Sequence, residues 1–270
     1  MESKVILLGT GTPNPDVNKS GPSVAISVDE SVYIIDFGTG VVRRAVKAGI
    51  QVTKLTKAFL THLHSDHTIG YPDLIFTPGV AGRTEPLEVY GPKGIADMTK
   101  HIMSAYQADV NERVLGLEPA ERASYIVNTH EITEGRIYQD GCIQVEAFRV
   151  NHGSLESYGY KFETPNRTVV ISGDTSPSQN LVDIAKGCDV LIHEVYSAVG
   201  LESRPEGWQK YHSTVHTSSY ELAEIANLVR PGLLVMYHQL LWGRTEEDLI
   251  SEVSEQYSGE AVSGHDLDVF

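Results

Sequence analysis

Short apolar runs alternate with polar loops and amphipathic segments along the whole chain. Apolar runs bounded by glycine, proline or asparagine predict buried strands, and segments with an apolar residue every third or fourth position predict helices. The alternation of the two types indicates an α/β protein. The predicted helices cover residues 41–48, 95–106, 217–229 and 245–257, with another beginning at Gly70. The predicted strands are 5–8, 24–28, 32–35, 51–61, 87–90, 143–150, 159–163, 167–171, 190–192, 233–236 and 267–270.

An ionisable side chain stands at or just after the end of several predicted strands. In layered α/β folds the carboxyl ends of the strands are where ligands collect. A repeated event of this kind therefore predicts one site assembled from distant parts of the chain. The residues concerned are Asp36, His62, His152, Asp174, Glu194 and His238.

The densest of these positions is the hexapeptide HLHSDH at residues 62–67, which holds four potential metal ligands. Imidazole and carboxylate groups suit zinc, iron or manganese. In an extended segment the i, i+2 spacing of His62 and His64 places both side chains on one side. A single tetrahedral ion could hardly use all four groups at this spacing. The hexapeptide therefore predicts two ions side by side.

Asp36 has two interpretations of equal standing. It follows the predicted strand 32–35 and precedes two glycines, so it could orient a histidine that binds metal. It could equally cap the helix predicted at 41–48. His152, at a strand end beside Gly153, is a further candidate ligand.

Composition and charge narrow the classes of protein. The 270 residues contain no internal repeat or linker, so we expect one domain over residues 1–270. Residues 108–136 are the least regular segment, with six acidic against three basic residues, and are expected to form a lid or an insertion. Residues 198–216 are predicted to be a polar loop. The net charge of −15 argues against nucleic-acid binding through the surface field.

The two cysteines are far apart, which indicates neither a disulfide framework nor a cysteine metal site. No apolar stretch reaches transmembrane length, and the N-terminal residues lack the apolar core of a signal peptide. We therefore expect a cytoplasmic protein without a membrane partner.

These motifs together resemble the metallo-β-lactamase superfamily of dinuclear metallohydrolases. The resemblance implies a four-layer αββα sandwich, in which two sheets are flanked by helices. It also implies two divalent metal ions, with zinc expected first and manganese or iron as alternatives. The implied ligands are His62, His64 and His152 for one ion, Asp66, His67 and His238 for the other, and Asp174 as a bridge.

Within the superfamily, His193-Glu194 and His216-Thr217 resemble the ribonuclease Z branch and its arylsulfatase and phosphodiesterase relatives. The resemblance implies that His216, paired with Glu194, acts on the scissile phosphate or the leaving group. His212 lies one helical turn earlier and is expected to line the pocket. Dimers are common in this branch, so a homodimer is compatible with the resemblance.

The net charge expected at the metal centre favours a monoanionic substrate. Two divalent ions set against Asp66, Asp174 and a hydroxide leave a net charge of about +1. Asp66 could also accept a proton from the attacking water. We therefore expect hydrolysis of a small anionic ester, either a phosphodiester or an aryl sulfate. The alternative is tRNA 3′-end processing of the ribonuclease Z type, and a further alternative is a lactonase or β-lactamase.

Overall fold

A computed structural model describes residues 2–118 and 120–270. Met1 and Pro119 lie outside the described residues, and Pro119 falls within the predicted lid. The chain forms two compact units. The first comprises the residues up to Gly9, Pro13–Ile132 and Asp266–Phe270, and the second comprises Thr10–Thr12 and Thr133–His265. The division leaves the expected single domain over 1–270 a prediction.

The first unit contains a six-stranded sheet in the order β1-β2-β3-β4-β5-β6. Strands β1 to β3 are antiparallel, and β3 to β6 are parallel. The first three are mostly buried, which explains their largely apolar sequence. The strands are β1 Ser3–Gly9, β2 Ser23–Val28, β3 Ser31–Ile35, β4 Lys57–Phe59, β5 Leu87–Gly91 and β6 Val127–Glu131.

The helices of the first unit are α1 Val41–Lys47, α2 Ser65–Thr68, α3 Tyr71–Val80, α4 Ile95–Ala105 and α5 Gln107–Leu115. Pro72 lies in the first turn of α3, where its missing N–H costs no hydrogen bond. Apolar residues of α1, α3 and α4 pack with the sheet residues Ile34, Ala58 and Val89 in one buried core.

The second unit contains a seven-stranded sheet in the order β13-β12-β11-β10-β9-β8-β7. Strands β10 to β13 are parallel, and β7 to β10 are antiparallel. Helices α6, α9 and α10 contribute to its core. The strands are β7 Gly135–Gln139, β8 Gln144–Arg149, β9 Tyr158–Glu163, β10 Thr168–Ile171, β11 Val190–Tyr196, β12 Leu233–Leu240 and β13 Ala261–Ser263. The helices are α6 Gln179–Ala185, α7 Ala198–Leu201, α8 Glu206–Val215, α9 Ser219–Val229 and α10 Glu246–Ser254.

The α/β class is confirmed, since each unit is a mixed sheet packed against helices. None of the helices in the described part of the chain has the length and apolar composition of a membrane-spanning segment.

Several predicted elements were wrong in their extent. The strand predicted at 51–61 is only β4, because residues Val52–Lys54 form a 3-10 turn. The segment 198–216 is largely helical, comprising α7 and α8, rather than a polar loop. The described residues of 108–136 contain most of α5, a 3-10 turn at Arg122–Tyr125 and β6, so the segment is not irregular. Its role as a lid stays a prediction.

Two strands of the second unit run further than predicted. β11 continues to Tyr196 and β12 to Leu240, so Glu194 and His238 lie within strands rather than at their ends. The last residues of the chain do not form a regular strand. They run beside β1 instead, where the Val5 N–H donates to the carbonyl oxygen of Phe270 over 3.0 Å.

Candidate metal centre

The hexapeptide at residues 62–67 leaves β4 in an extended conformation and then turns into the short helix α2. His64 is the residue before that helix and keeps extended dihedral angles. The Nε2 atom of His62 and the Nδ1 atom of His64 are 3.0 Å apart. Two nitrogen ligands of one tetrahedral zinc ion are about 3.3 Å apart, given Zn–N bonds of about 2.0 Å. These two histidines therefore have the spacing of ligands that share an ion.

Asp36 orients His67, the last residue of the hexapeptide. Its Oδ2 atom accepts a hydrogen bond from His67 Nδ1 over 2.8 Å, and both side chains are buried. Because a carboxylate can only accept, Nδ1 carries the proton and Nε2 presents its lone pair. Asp36 does not cap α1, whose cap residue is Gly40 and has no side-chain hydrogen bond.

Thr61 connects this carboxylate to a second histidine. The Thr61 N–H donates to Asp36 Oδ1 over 2.8 Å, and the Thr61 hydroxyl lies 2.9 Å from Asp36 Oδ2. The same hydroxyl oxygen lies 3.0 Å from His62 Nδ1. A hydroxyl that donates to Asp36 must accept from His62, so the Nε2 atom of His62 is also left unprotonated. Asp36 and Thr61 thus set the tautomers of both His62 and His67.

Close backbone packing holds α2 against the segment that follows β3. The Phe37 N–H donates to the His67 carbonyl over 3.0 Å, and the Gly70 N–H donates to the Phe37 carbonyl over 2.9 Å. A Cβ atom at Gly38 would lie 2.6 Å from the Asp66 carbonyl oxygen, and one at Gly70 would lie 2.2 Å from the Gly38 carbonyl oxygen. Only glycine fits at these two crossings.

In the second unit, Asp174 lies between two histidines. It follows β10, and its Oδ2 atom is 3.9 Å from His152 Nε2 and 3.7 Å from His238 Nε2. His152 Nδ1 donates to the Val215 carbonyl over 2.8 Å, so His152 Nε2 presents its lone pair. All three side chains are buried. One carboxylate oxygen therefore faces two imidazole nitrogens.

His238 reaches this position through a β-bulge. Glu194 of β11 pairs with Tyr237, but the next residue, Val195, pairs with Gln239. His238 is the extra residue and has φ of 46°. Bulges redirect side chains at functional sites and persist because the neighbouring strand fixes them.

Glu194 and His216 form a buried pair beside these ligands. The Glu194 Oε1 atom accepts from the backbone N–H groups of Thr175 and Thr217, over 3.0 and 3.2 Å, and from His216 Nδ1 over 3.1 Å. Burial raises the pKa of Glu194 well above its usual value, and the nearby charge of Asp174 adds to the rise. The His216 ring centroid lies 5.2 Å from that of His152 and 6.1 Å from that of His238. An imidazole held by a carboxylate thus adjoins two candidate ligands.

The neighbouring His193 is fully buried and interacts electrostatically with Asp174. Its Nδ1 atom donates to the Glu194 carbonyl, and burial lowers its pKa to about 4, which keeps the ring neutral at neutral pH. His212 lies in α8, and its ring stacks on that of His216 with centroids 5.5 Å apart.

Among the described residues, histidines and aspartates form two groups with the chemistry to hold a metal ion. The first unit contributes His62, His64, Asp66 and His67, and the second unit contributes His152, Asp174 and His238.

Several residues of the site were not identified in the sequence. Thr61, Thr175 and Thr217 support the candidate ligands or Glu194 through hydrogen bonds, yet threonines in the connections between elements give no distinctive signal. Trp208 was also missed. Its spacing of four residues from His212 would have indicated a common helix face, had the segment not been interpreted as a loop.

Comparisons with known proteins agree with this chemistry. A family model described as "Anti-Pycsar protein Apyc1" matches residues 3–248. A ribonuclease Z from Mycobacterium bovis is 30% identical, covering 98% of this chain and 96% of the relative. A ribonuclease Z from Mycobacterium sp. (strain KMS) is 33% identical over 88% of this chain and 84% of the relative.

Two solved structures share the fold. The metallo-β-lactamase fold protein YhfI from Bacillus subtilis has a TM-score of 0.78 at 19% identity and covers 100% of both chains. The short form of human tRNase Z has a TM-score of 0.74 at 23% identity, over 99% of this chain and 98% of that one. The metallo-β-lactamase fold expected from the sequence is thereby confirmed. The chain is a metal-dependent hydrolase of this fold and belongs to the family described as anti-Pycsar protein Apyc1.

Proposed function

We propose that this protein hydrolyses a small monoanionic phosphodiester at a centre of two zinc ions. The observation that carries the proposal is the position of Asp174, whose single Oδ2 atom faces one imidazole nitrogen from His152 and one from His238. A carboxylate so placed suits a bridge between two cations. The proposed ligands are His62, His64 and His152 for one ion and Asp66, His67 and His238 for the other, with Asp174 shared.

The donor set supports zinc. It contains imidazoles and carboxylates with no thiolate, and at least three of its imidazoles have a hydrogen bond that fixes the tautomer for binding. When bound, two such ions would lower the pKa of a bound water and partly neutralise an ester phosphate.

His216 is the proposed acid for the leaving group. Glu194 accepts a hydrogen bond from its Nδ1 atom, which leaves the Nε2 atom of His216 to carry the proton that is transferred. The ring lies beside those of His152 and His238, which we propose as ligands of different ions. His216 can therefore donate a proton to the departing oxygen next to the centre. Asp66, partly exposed at the start of α2, is the proposed acceptor of the proton from the attacking water.

The charge of the chain favours a small substrate. The net charge is −15, and α5 carries Asp109 and Glu112 against Arg113. A surface of this sign offers few phosphate contacts for the release of counterions from a long nucleic acid. The curated relatives named ribonuclease Z support tRNA 3′-end processing as a second candidate function.

A substrate panel separates these candidates. Zinc-loaded protein is assayed with bis-p-nitrophenyl phosphate, p-nitrophenyl sulfate, a lactone and a precursor tRNA, with and without a chelator. We expect the diester to be cleaved with the highest kcat/KM, and chelation to abolish the cleavage. Faster cleavage of the precursor tRNA would establish the second candidate, and preference for the sulfate or the lactone would reject both.

A further inference from the structure

An aromatic ladder extends away from His216 along one face of α8. Trp208 and His212 are four residues apart in α8 and share one of its faces, and His216 follows directly after the helix with an extended backbone. The Trp208 and His212 rings stack with centroids 5.7 Å apart and an angle of 25° between their planes. The His212 and His216 rings stack at 5.5 Å and 29°. The three rings therefore form a continuous series that ends at the proposed acid.

The outer end of the ladder is open to solvent. Trp208 is 51% exposed and Tyr211, whose ring meets Trp208 edge to face at 5.8 Å, is 43% exposed. The middle of the ladder is supported by Trp242, whose ring centroid lies 4.7 Å from that of His212. Large aromatic side chains exposed together at the edge of a site are typical of ligand binding rather than of a folded core.

The outer part of the ladder carries no charge. Burial, together with the neighbouring His216 and Arg204, lowers the pKa of His212 to about 4, so this ring is neutral at neutral pH. Trp208, Tyr211 and His212 therefore offer uncharged ring faces to another ring. The surface is thus complementary to the uncharged part of a phosphodiester.

We propose that Trp208 and Tyr211 form a stacking platform for a planar aromatic group carried by the substrate. This inference rests on the proposed function and deepens it. If His216 protonates the leaving oxygen, the group attached to that oxygen leads outward along α8 and meets Trp208. The platform then gives an aryl or nucleoside diester a binding advantage over an alkyl diester of the same charge.

Aryl and nucleoside groups share this chemistry, and non-hydrolysable ligands can separate them. Three methylphosphinates mimic the ethyl, phenyl and thymidine 5′-esters with a methylene group in place of the ester oxygen, so they cannot be hydrolysed and each carries one negative charge. Their binding to the zinc-loaded protein is measured directly by calorimetry, so no turnover is needed. Stacking of a base on an aromatic side chain is strong enough to change a dissociation constant about tenfold.

We expect the phenyl and thymidine analogues to bind about tenfold more tightly than the ethyl analogue. Trp208→Ala should abolish this advantage and leave binding of the ethyl analogue unchanged, and Trp208→Phe should restore most of it. Tyr106→Ala is the matched control, because Tyr106 is 44% exposed in the first unit and takes no part in the ladder. It should leave all three dissociation constants unchanged.

The relative affinities of the phenyl and thymidine analogues identify the source of the ring. Equal binding of all three analogues, or an unchanged advantage in Trp208→Ala, would overturn the platform while leaving the hydrolase function in place. If none of the three ligands bound, both the phosphodiesterase function and the stacking platform would be rejected.

Discussion

Replacing Asp36 with asparagine should weaken zinc binding without removing any metal ligand. The carboxylate accepts from Thr61 N–H through one oxygen and from His67 Nδ1 through the other, each over 2.8 Å. Asparagine has only one acceptor oxygen, so in either orientation its NH2 group faces one of these two N–H donors. The less costly arrangement moves the His67 proton to Nε2, the atom left available in the wild type.

The magnitude follows from the contact that is lost. A hydrogen bond to a charged group contributes about 1.5–3 kcal/mol. Loss of a partner behind a metal-binding histidine typically weakens metal affinity about 10- to 100-fold, which is about 1.4–2.7 kcal/mol. The two ranges agree, and we expect Asp36→Asn to raise the zinc dissociation constant by a factor within this range.

The assay is competition for zinc against a chromogenic chelator at pH 7.5. Glu252→Gln is the matched control. Glu252 is also buried and accepts from Ser197 and Ser219 and from the Ala198 N–H, but it contacts no proposed ligand. This variant should bind zinc as the wild type does. Wild-type zinc affinity in a folded Asp36→Asn protein would refute the proposed orientation of His67.

Four further predictions concern the remaining parts of the structure. Asp174→Ala should lower the metal content measured by elemental analysis from two ions per chain towards none; retention of two ions would exclude a shared carboxylate. His216→Ala should keep its metal and lose kcat at least 100-fold on a diester with a poor leaving group, and an unchanged kcat would remove it from the reaction. The buried guanidinium of Arg83 donates to four backbone carbonyls. Arg83→Met should therefore lower the free energy of unfolding, measured in urea, by about 3 kcal/mol or more. A loss below about 1 kcal/mol would show that those carbonyls find other donors. The pKa of His193 is lowered from 6.5 to about 4, so the unfolded chain takes up this proton at a higher pH and the free energy of unfolding falls as the pH drops from 6.5 to 4. Between pH 7 and pH 5, metal-free His193→Gln should lose about 2 kcal/mol less of its free energy of unfolding than the wild type does. An equal loss in both proteins would show that His193 does not cause this pH dependence.

The ends of β4 and β10 could be predicted from the sequence because they depend on local pattern. The apolar run before residues 62–67 and the turn residues after β10 are visible without any knowledge of the partner strands. His62 and Asp174 follow as candidate ligands from their chemistry and their position after those ends, whereas His238 lies within β12.

Other features depend on contacts between distant residues and could not be predicted. The choice between the two interpretations of Asp36 depends on His67, which is 31 positions away. The bulge at His238 exists only in relation to the register of β11. Helix α8 was interpreted as a loop because glycine and polar residues dominate its sequence, and its aromatic face becomes apparent only once the helical period is assumed.

The Asp36–Thr61 pair bears on how the centre is filled. It orients His62 and His67, which are proposed to bind different ions, so the ordering of one imidazole fixes the other through one hydroxyl. The conformational entropy of His62 and His67 is then lost when the first ion binds, and the second ion binds a histidine that is already ordered. Positive cooperativity follows, and chains that carry a single ion should be rare at intermediate zinc concentrations. The protein would then exist mainly as empty or fully loaded molecules, so that its activity changes over a narrow range of available metal.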